Sequence, residues 1–214
     1  MSLTLHSYWR ATAPYRVRIG LNLKDLPYDY VGVNLLKGEQ HAPDYVATKN
    51  PQHLTPALDT GDHVLTQSLA ILEWLEETHP APALLPKDAF ARATVRAMAT
   101  LIACDIHPLN NMRIQKALAA LGVDEAGRQD WSQRWIVDGF TALEPMVAAH
   151  GRGFAFGDAP TLADCCLVPQ VYSAHRYNVD LAPFPAIVAA ADHANAHPAF
   201  AAAHPDRQPD AVNA

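Results

Sequence analysis

The strongest constraint on the fold of this chain is a change of pattern across residues 79–88. Before it, β-type runs recur: Leu3 and Leu5 alternate with Thr4 and His6, residues 28–35 carry Tyr28, Tyr30, Val31 and Val33, and residues 54–59 and 63–65 flank the turn Thr60-Gly61-Asp62. Helical spacing lies between them, at 15–23 and, after Gln67-Ser68, through Leu69, Ile71, Leu72, Trp74 and Leu75. A strand, a helix and a strand joined this way make the first two strands parallel. His79-Pro80-Ala81-Pro82 is then a linker by composition, closed by Leu84-Leu85-Pro86. Beyond Asp88 no β-type run remains.

The first part therefore reads β-α-β-(α)-β-β-α, the order of a thioredoxin-like α/β domain over residues 1–82, and the remainder, 88–214, reads as an all-α domain. Residues 90–106 form an Ala-rich helical run that His107-Pro108-Leu109-Asn110-Asn111 interrupts or bends before 112–121 resumes it. Residues 130–149 keep helical spacing through Trp131, Trp135, Phe140 and Leu143. Thr161 with Asp164 three residues on is a capping-box variant opening a buried helix over 165–177. Short helices at 184–195 and 198–204 follow, and 205–214 reads as a loose tail.

Composition excludes several function classes. A formal charge of −6 over 214 residues argues against a nucleic-acid partner, which needs a basic face. No apolar run approaches the roughly 18 residues of a membrane span, and residues 1–6 show no secretory pattern, so a soluble cytoplasmic protein is expected. Three cysteines, Cys104, Cys165 and Cys166, suggest no disulfide framework and read as small buried hydrophobes. His193 and His197 have helical spacing, but no carboxylate follows the first and Pro198 follows the second, so no metal site is expected.

Chemistry concentrates where the first strand runs through Ser7-Tyr8-Trp9-Arg10-Ala11-Thr12-Ala13-Pro14 into a helix. First-turn N–H groups carry roughly half a positive charge and stabilise a thiolate or carboxylate. Thr12 adds a hydroxyl, and Arg10, Arg16 and Arg18 offer charge; the plainer account is that Thr12 caps the helix and the arginines are solvated. Pro56, which cannot donate to a ladder, belongs at the first position of its strand, where an X-Pro bond can be cis. Ser68 suits a helix cap or first turn.

Four stretches together resemble the cytosolic glutathione transferases across almost the whole chain: Tyr8-Trp9-Arg10 with Arg16-Val17-Arg18-Ile19, Pro56-Ala57-Leu58, Gln67-Ser68-Leu69-Ala70-Ile71-Leu72, and Thr161-Leu162-Ala163-Asp164. Within that family the double arginine Arg16-Val17-Arg18, the segment Cys104 to Asn111, and Pro169-Gln170-Val171 leading to Arg176-Tyr177-Asn178 are similar to the zeta class, most of all its bacterial maleylpyruvate and maleylacetoacetate isomerases. The resemblance implies glutathione as cofactor. Thr55 would pair its backbone with the cysteinyl part, and Gln67 and Ser68 would grip the γ-glutamyl carboxylate. His41, Gln52 and His53 would meet the glycyl end, and His107 and Asn111 would reach glutathione from a second subunit of a homodimer. Where the zeta pattern has Ser-Ser-Cys, this chain has Ala11-Thr12-Ala13, which leaves Thr12 the only side-chain hydroxyl there.

The activity so implied is glutathione-dependent cis–trans isomerisation of a small dicarboxylic diketo acid, maleylpyruvate or maleylacetoacetate. Because arginine forks hold carboxylates in a bidentate way, Arg10, Arg113 and Arg176 are the expected substrate-binding residues, with Thr12, Arg10 and Arg176 closest to the chemistry. Two other readings stay open: a general glutathione transferase or peroxidase, and a non-catalytic glutathione-binding stress protein, which Ala11 and Ala13 favour.

Overall fold

The computed structural model describes residues 2–211; Met1 and the last three residues of the expected tail lie outside them. Contacts divide the chain into two compact units, one of residues up to Leu84 together with those from His197 onward, the other Leu85–Ala196. Residues 197–211, expected in the helical domain, thus pack with the first unit.

In the first unit, β1 (Leu3–Ser7) alternates buried and half-buried side chains as its sequence alternates. It lies at the centre of a four-stranded sheet of order β2-β1-β3-β4, where β2 is Tyr28–Gly32, β3 Ala57–Asp59 and β4 Val64–Thr66. β1 runs parallel to β2, with Leu5 opposite Tyr30, and antiparallel to β3, with Leu5 opposite Leu58. The β-α-β crossover makes the first pairing parallel, and the tight turn at Thr60-Gly61-Asp62 makes β3 and β4 antiparallel. Helix α1 (Thr12–Leu23) begins earlier than its apolar spacing suggested, and α2 (Pro43–Thr48) is short. α3 (Ser68–Thr78) packs against α1 so closely that a Cβ added at Gly20 would lie 2.3 Å from Leu72 Cδ2. The Thr55-Pro56 and Ala81-Pro82 peptides are both cis.

The linker after α3 is held by a buried ion pair. Lys24 Nζ donates to Glu76 Oε2 at 2.7 Å and to the Pro82 carbonyl at 2.6 Å, and Glu76 Oε2 accepts from the Leu84 N–H at 2.8 Å. Removing one member of such a pair typically costs about 3–5 kcal/mol, because the other charge stays buried.

The helical unit holds α4 (Ala89–Thr100), a π-helical stretch Leu101–Ile106, α5 (His107–Asn110), α6 (Met112–Ala120), α7 (Glu125–His150), α8 (Leu162–Arg176) and α9 (Pro185–Asn195). Asp88 caps α4 by accepting from the Ala91 N–H. The expected single helix over 90–106 is instead wound wide in its last turn, directly before Pro108. The capping box opens α8: Asp164 Oδ2 accepts from the Thr161 N–H and hydroxyl, each at 2.8 Å, while Oδ1 accepts from the Ala155 N–H at 2.7 Å. Desolvation by burial outweighs these bonds and raises the Asp164 pKa to about 6. The cysteines divide, Cys165 and Cys166 buried as expected and Cys104 exposed.

A last helix, α10 (Pro198–Ala203), packs on α1 within the first unit, and the stretch that follows departs from the expected loose tail. Pro205 and Gln208 are buried, and Gln208 Nε2 donates to the Ala202 and His204 carbonyls.

Candidate functional site

The N-terminus of α1 sits at the C-terminal end of the central strand. Its cap position is Ala11, whose side chain can accept nothing, so Thr12 is the first helical residue and not a cap. Pro14 lacks an N–H, which leaves the Thr12 and Ala13 amides as the donors of the first turn. No acidic side chain occupies that turn. The loop before it is a turn closed by the Ala11 N–H donating to the Tyr8 carbonyl, and the Arg10 guanidinium lies over the Trp9 ring, 5.5 Å from its centroid.

The other two arginines of the motif are not solvated: Arg16 is 2% and Arg18 0% exposed. Arg16 Nη1 donates to Ser68 Oγ at 3.2 Å. Arg18 donates to Ser7 Oγ, to the Trp9 carbonyl at 2.8 Å and to the Ala203 carbonyl at 3.0 Å. Arg18 is therefore a structural cation, and burial lowers its pKa.

Ser68 opens α3, whose cap is Gln67 in a left-handed conformation at φ 68°. A non-glycine residue held there stores about 1–3 kcal/mol of strain, a cost found most often at functional sites. α3 also has no acid in its first turn. Helix amides, the Ser68 hydroxyl and the buried Arg16 charge converge on one spot, a donor set that fits a carboxylate. Ser68 Oγ accepts from Arg16, and the hydroxyl keeps its own O–H to donate.

The remaining first-unit candidates lie around the loop preceding β3. Gln67 Nε2 donates to Gln52 Oε1 at 2.7 Å, so these two side chains meet. His41 and His53 are both exposed and bring their Nδ1 atoms to 3.2 Å, with His53 also at positive φ. Thr55, half-buried, precedes the cis bond; the Leu54 carbonyl before it accepts from Tyr45 Oη at 2.7 Å and Asn50 Nδ2 at 2.9 Å, which anchors the loop.

In the helical unit the structure gathers a second set. Asn111 caps α6 by accepting from the Ile114 N–H at 3.1 Å, with exposed Arg113 in the first turn and His107 opening α5. Arg176, exposed, ends α8; the next residue, Tyr177, donates its hydroxyl to the Asn110 carbonyl at 2.8 Å and so ties that helix end to the α5–α6 junction. A cavity of about 590 Å³ in the same unit, lined among others by Val137, Pro145, Val179 and Phe184, contains none of these candidates. Among the described residues no group of three or more His, Cys, Asp or Glu is placed to hold a metal ion. The burial of Arg16 against Ser68 is not legible in the sequence, where the arginine's position one helical turn beyond Thr12 is its only signal.

Residues 13–83 match the glutathione S-transferase N-terminal domain family and residues 129–202 its C-terminal domain family. A maleylpyruvate isomerase from a Ralstonia species is 51% identical over 98% of this chain and 100% of its own length. The maleylacetoacetate isomerase of Pseudomonas aeruginosa is 46% identical over 97% and 98%. Among solved structures, a holo maleylpyruvate isomerase described as a bacterial zeta-class glutathione S-transferase superposes with a TM-score of 0.95 at 50% identity, covering 98% of this chain and all of the other. A maleylacetoacetate isomerase from Anaeromyxobacter dehalogenans, solved with dicarboxyethyl glutathione and citrate in its active site, gives a TM-score of 0.90 at 44% identity over 99% and 98%. With both halves matched and relatives this similar along the full length, the chain belongs to the glutathione S-transferase family and, within it, to the zeta class.

Proposed function

We propose that this protein is a glutathione-dependent cis–trans isomerase that converts maleylpyruvate or maleylacetoacetate to the fumaryl isomer. The observation that carries the reading is the full-length kinship with a maleylpyruvate isomerase at 51% identity. The site chemistry supports it: two helix starts free of acidic side chains, one backed by a buried arginine, suit a peptide with a thiolate and a carboxylate. Dicarboxyethyl glutathione, held by a relative, is a thioether of glutathione with a short diacid.

Bound glutathione supplies a thiolate that adds reversibly to the activated double bond of the substrate, leaving a bond free to rotate before the thiolate departs. An unassisted thiol, with a pKa near 8.5, would be only a few per cent ionised at neutral pH. The Thr12 and Ala13 amides, with the Thr12 hydroxyl and the Arg10 charge, favour the anion. Gln67 and Ser68 hold the γ-glutamyl carboxylate, the Thr55 backbone pairs with the cysteinyl residue, and His41, Gln52 and His53 face the glycyl end. His107 and Asn111 contact glutathione from the second subunit of a homodimer in the cytoplasm. Arg10, Arg113 and Arg176 bind the substrate's two carboxylates and offset the negative charge that develops on its oxygens during addition.

The test is direct. The protein is incubated with glutathione and each maleyl diketo acid, and the fumaryl product is followed by absorbance and chromatography. Product that requires glutathione supports the reading; conjugation of neutral aryl halides with no isomerisation refutes it.

A further inference from the structure

The Trp9 backbone is gripped from both sides, by Asp210 and by Arg18. Its N–H donates to Asp210 Oδ2 at 3.1 Å, and its carbonyl accepts from Arg18 Nη2 at 2.8 Å. The other Asp210 oxygen accepts from the Tyr30 hydroxyl at 2.6 Å, and Arg18 also donates to Ser7 Oγ. Ser7 in turn lies within hydrogen-bonding reach of the Tyr30 phenol. These five residues close a ring joining the end of β1, the middle of α1, β2 and the C-terminal stretch. That stretch is anchored by Gln208 and by the Arg18 bond to the Ala203 carbonyl, so it forms a strap across the strand ends. Gly32, the last residue of β2, leaves room for it: a Cβ there would sit 3.3 Å from Asp210 Cβ.

What the ring holds is the loop that presents the thiol-side groups. Trp9 carries Arg10 on its ring face, and Ala11, two residues on, caps α1 and so sets where the Thr12 and Ala13 amides point. We propose that Asp210 is a positioning residue for the reaction, locking the Trp9 peptide so that Arg10 and the N-terminal amides of α1 are held at the thiolate. This rests on the isomerase reading above. Asp210 touches neither glutathione nor substrate; it acts through Trp9. Its negative charge also offsets part of the desolvation of Arg18, the other side of the grip.

The experiment compares the parent with Asp210→Ala, Asp210→Asn and Gly32→Ala, full-length in each case. Amide hydrogen exchange over residues 9–13, the apparent pKa of bound glutathione from thiolate absorbance, isomerisation kinetics and thermal unfolding are measured. In Asp210→Ala the 9–13 amides should exchange roughly tenfold faster, as expected for a lost hydrogen bond to a charged acceptor. The bound-thiol pKa should rise and kcat/KM fall by roughly tenfold, while glutathione affinity, carried at α3, shifts by less than about twofold. Asp210→Asn keeps an oxygen for the Trp9 N–H and should recover part of both effects. Gly32→Ala leaves every polar group in place but presses on the strap, and should move the same readouts less far. If Asp210→Ala fails to fold, the other two variants carry the comparison. Lower thermal stability with unchanged exchange at 9–13, unchanged thiol pKa and unchanged kcat/KM overturns the proposal. A parent that does not isomerise either acid overturns the functional reading instead, and the exchange data still decide the role of Asp210.

Discussion

Replacing Ser68 with alanine isolates the carboxylate end of the proposed glutathione site. The residue is 5% exposed and its oxygen accepts from Arg16, itself 2% exposed, so the change removes an O–H donor and one acceptor of a buried cation at once. A hydrogen bond to a charged group contributes about 1.5–3 kcal/mol. Since the α3 amides and the Arg16 charge remain, the lower part of that range applies, and Kd should rise about ten- to thirtyfold. Calorimetry with glutathione and with S-methylglutathione at one pH is the assay. The methylated ligand has no thiolate, so an equal loss on both ligands localises the effect to the γ-glutamyl end. Stability should fall by about 1 kcal/mol, from the bond that Arg16 loses. A change of less than about twofold for both ligands, or a loss on glutathione alone, refutes the placement of the carboxylate at Ser68.

Arg176→Ala should lower isomerisation by roughly 2–4 kcal/mol in transition-state terms and leave conjugation of a neutral aryl halide nearly unchanged, because only the diketo acid offers the guanidinium a charge to hold; equal losses on both substrates would remove Arg176 from the substrate site. Asp164→Asn should alter the pH dependence of stability. With the folded-state pKa raised to about 6, the folded protein binds more protons than the unfolded chain at acid pH, so the parent should lose stability as pH rises through that window and then level off. The loss is about 3 kcal/mol for a shift of this size. The amide variant should be less stable than the parent at neutral pH, since its N–H group faces a donor, yet flat where the parent slopes. Urea unfolding between acid and neutral pH reads this, and parallel curves would show that the three hydrogen bonds to Asp164 keep it ionised.

Much of the architecture is written in short windows of the chain. β1 alternates because a strand exposes opposite faces in turn, and Leu3 and Leu5 can face only one of them. Thr161 and Asp164 start α8 because a hydroxyl and a carboxylate three residues apart reach each other's backbone in any helix start. The linker at 79–86 and the Gln67-Ser68 entry to α3 are likewise local, and so is the first turn of α1, short of donors because of Pro14. What the tertiary structure alone decided concerns charge and distance. Arg16 and Arg18 share one helix and read alike, as charge for the anion site or as a solvated face, yet one backs Ser68, 52 residues away, and the other reaches Ala203, 185 residues away. The 205–211 stretch looks loose because its own residues offer each other little; Asp210 is ordered by Trp9, 201 residues earlier, and by Tyr30. The positive φ of Gln67 and the wide turn at Leu101–Ile106 are likewise seen only in the structure. Periodicity reports which face of an element is buried, because backbone geometry repeats within a few residues. Where a buried charge finds its partner depends on which elements the whole fold brings together, and that information exists only once the chain has closed on itself.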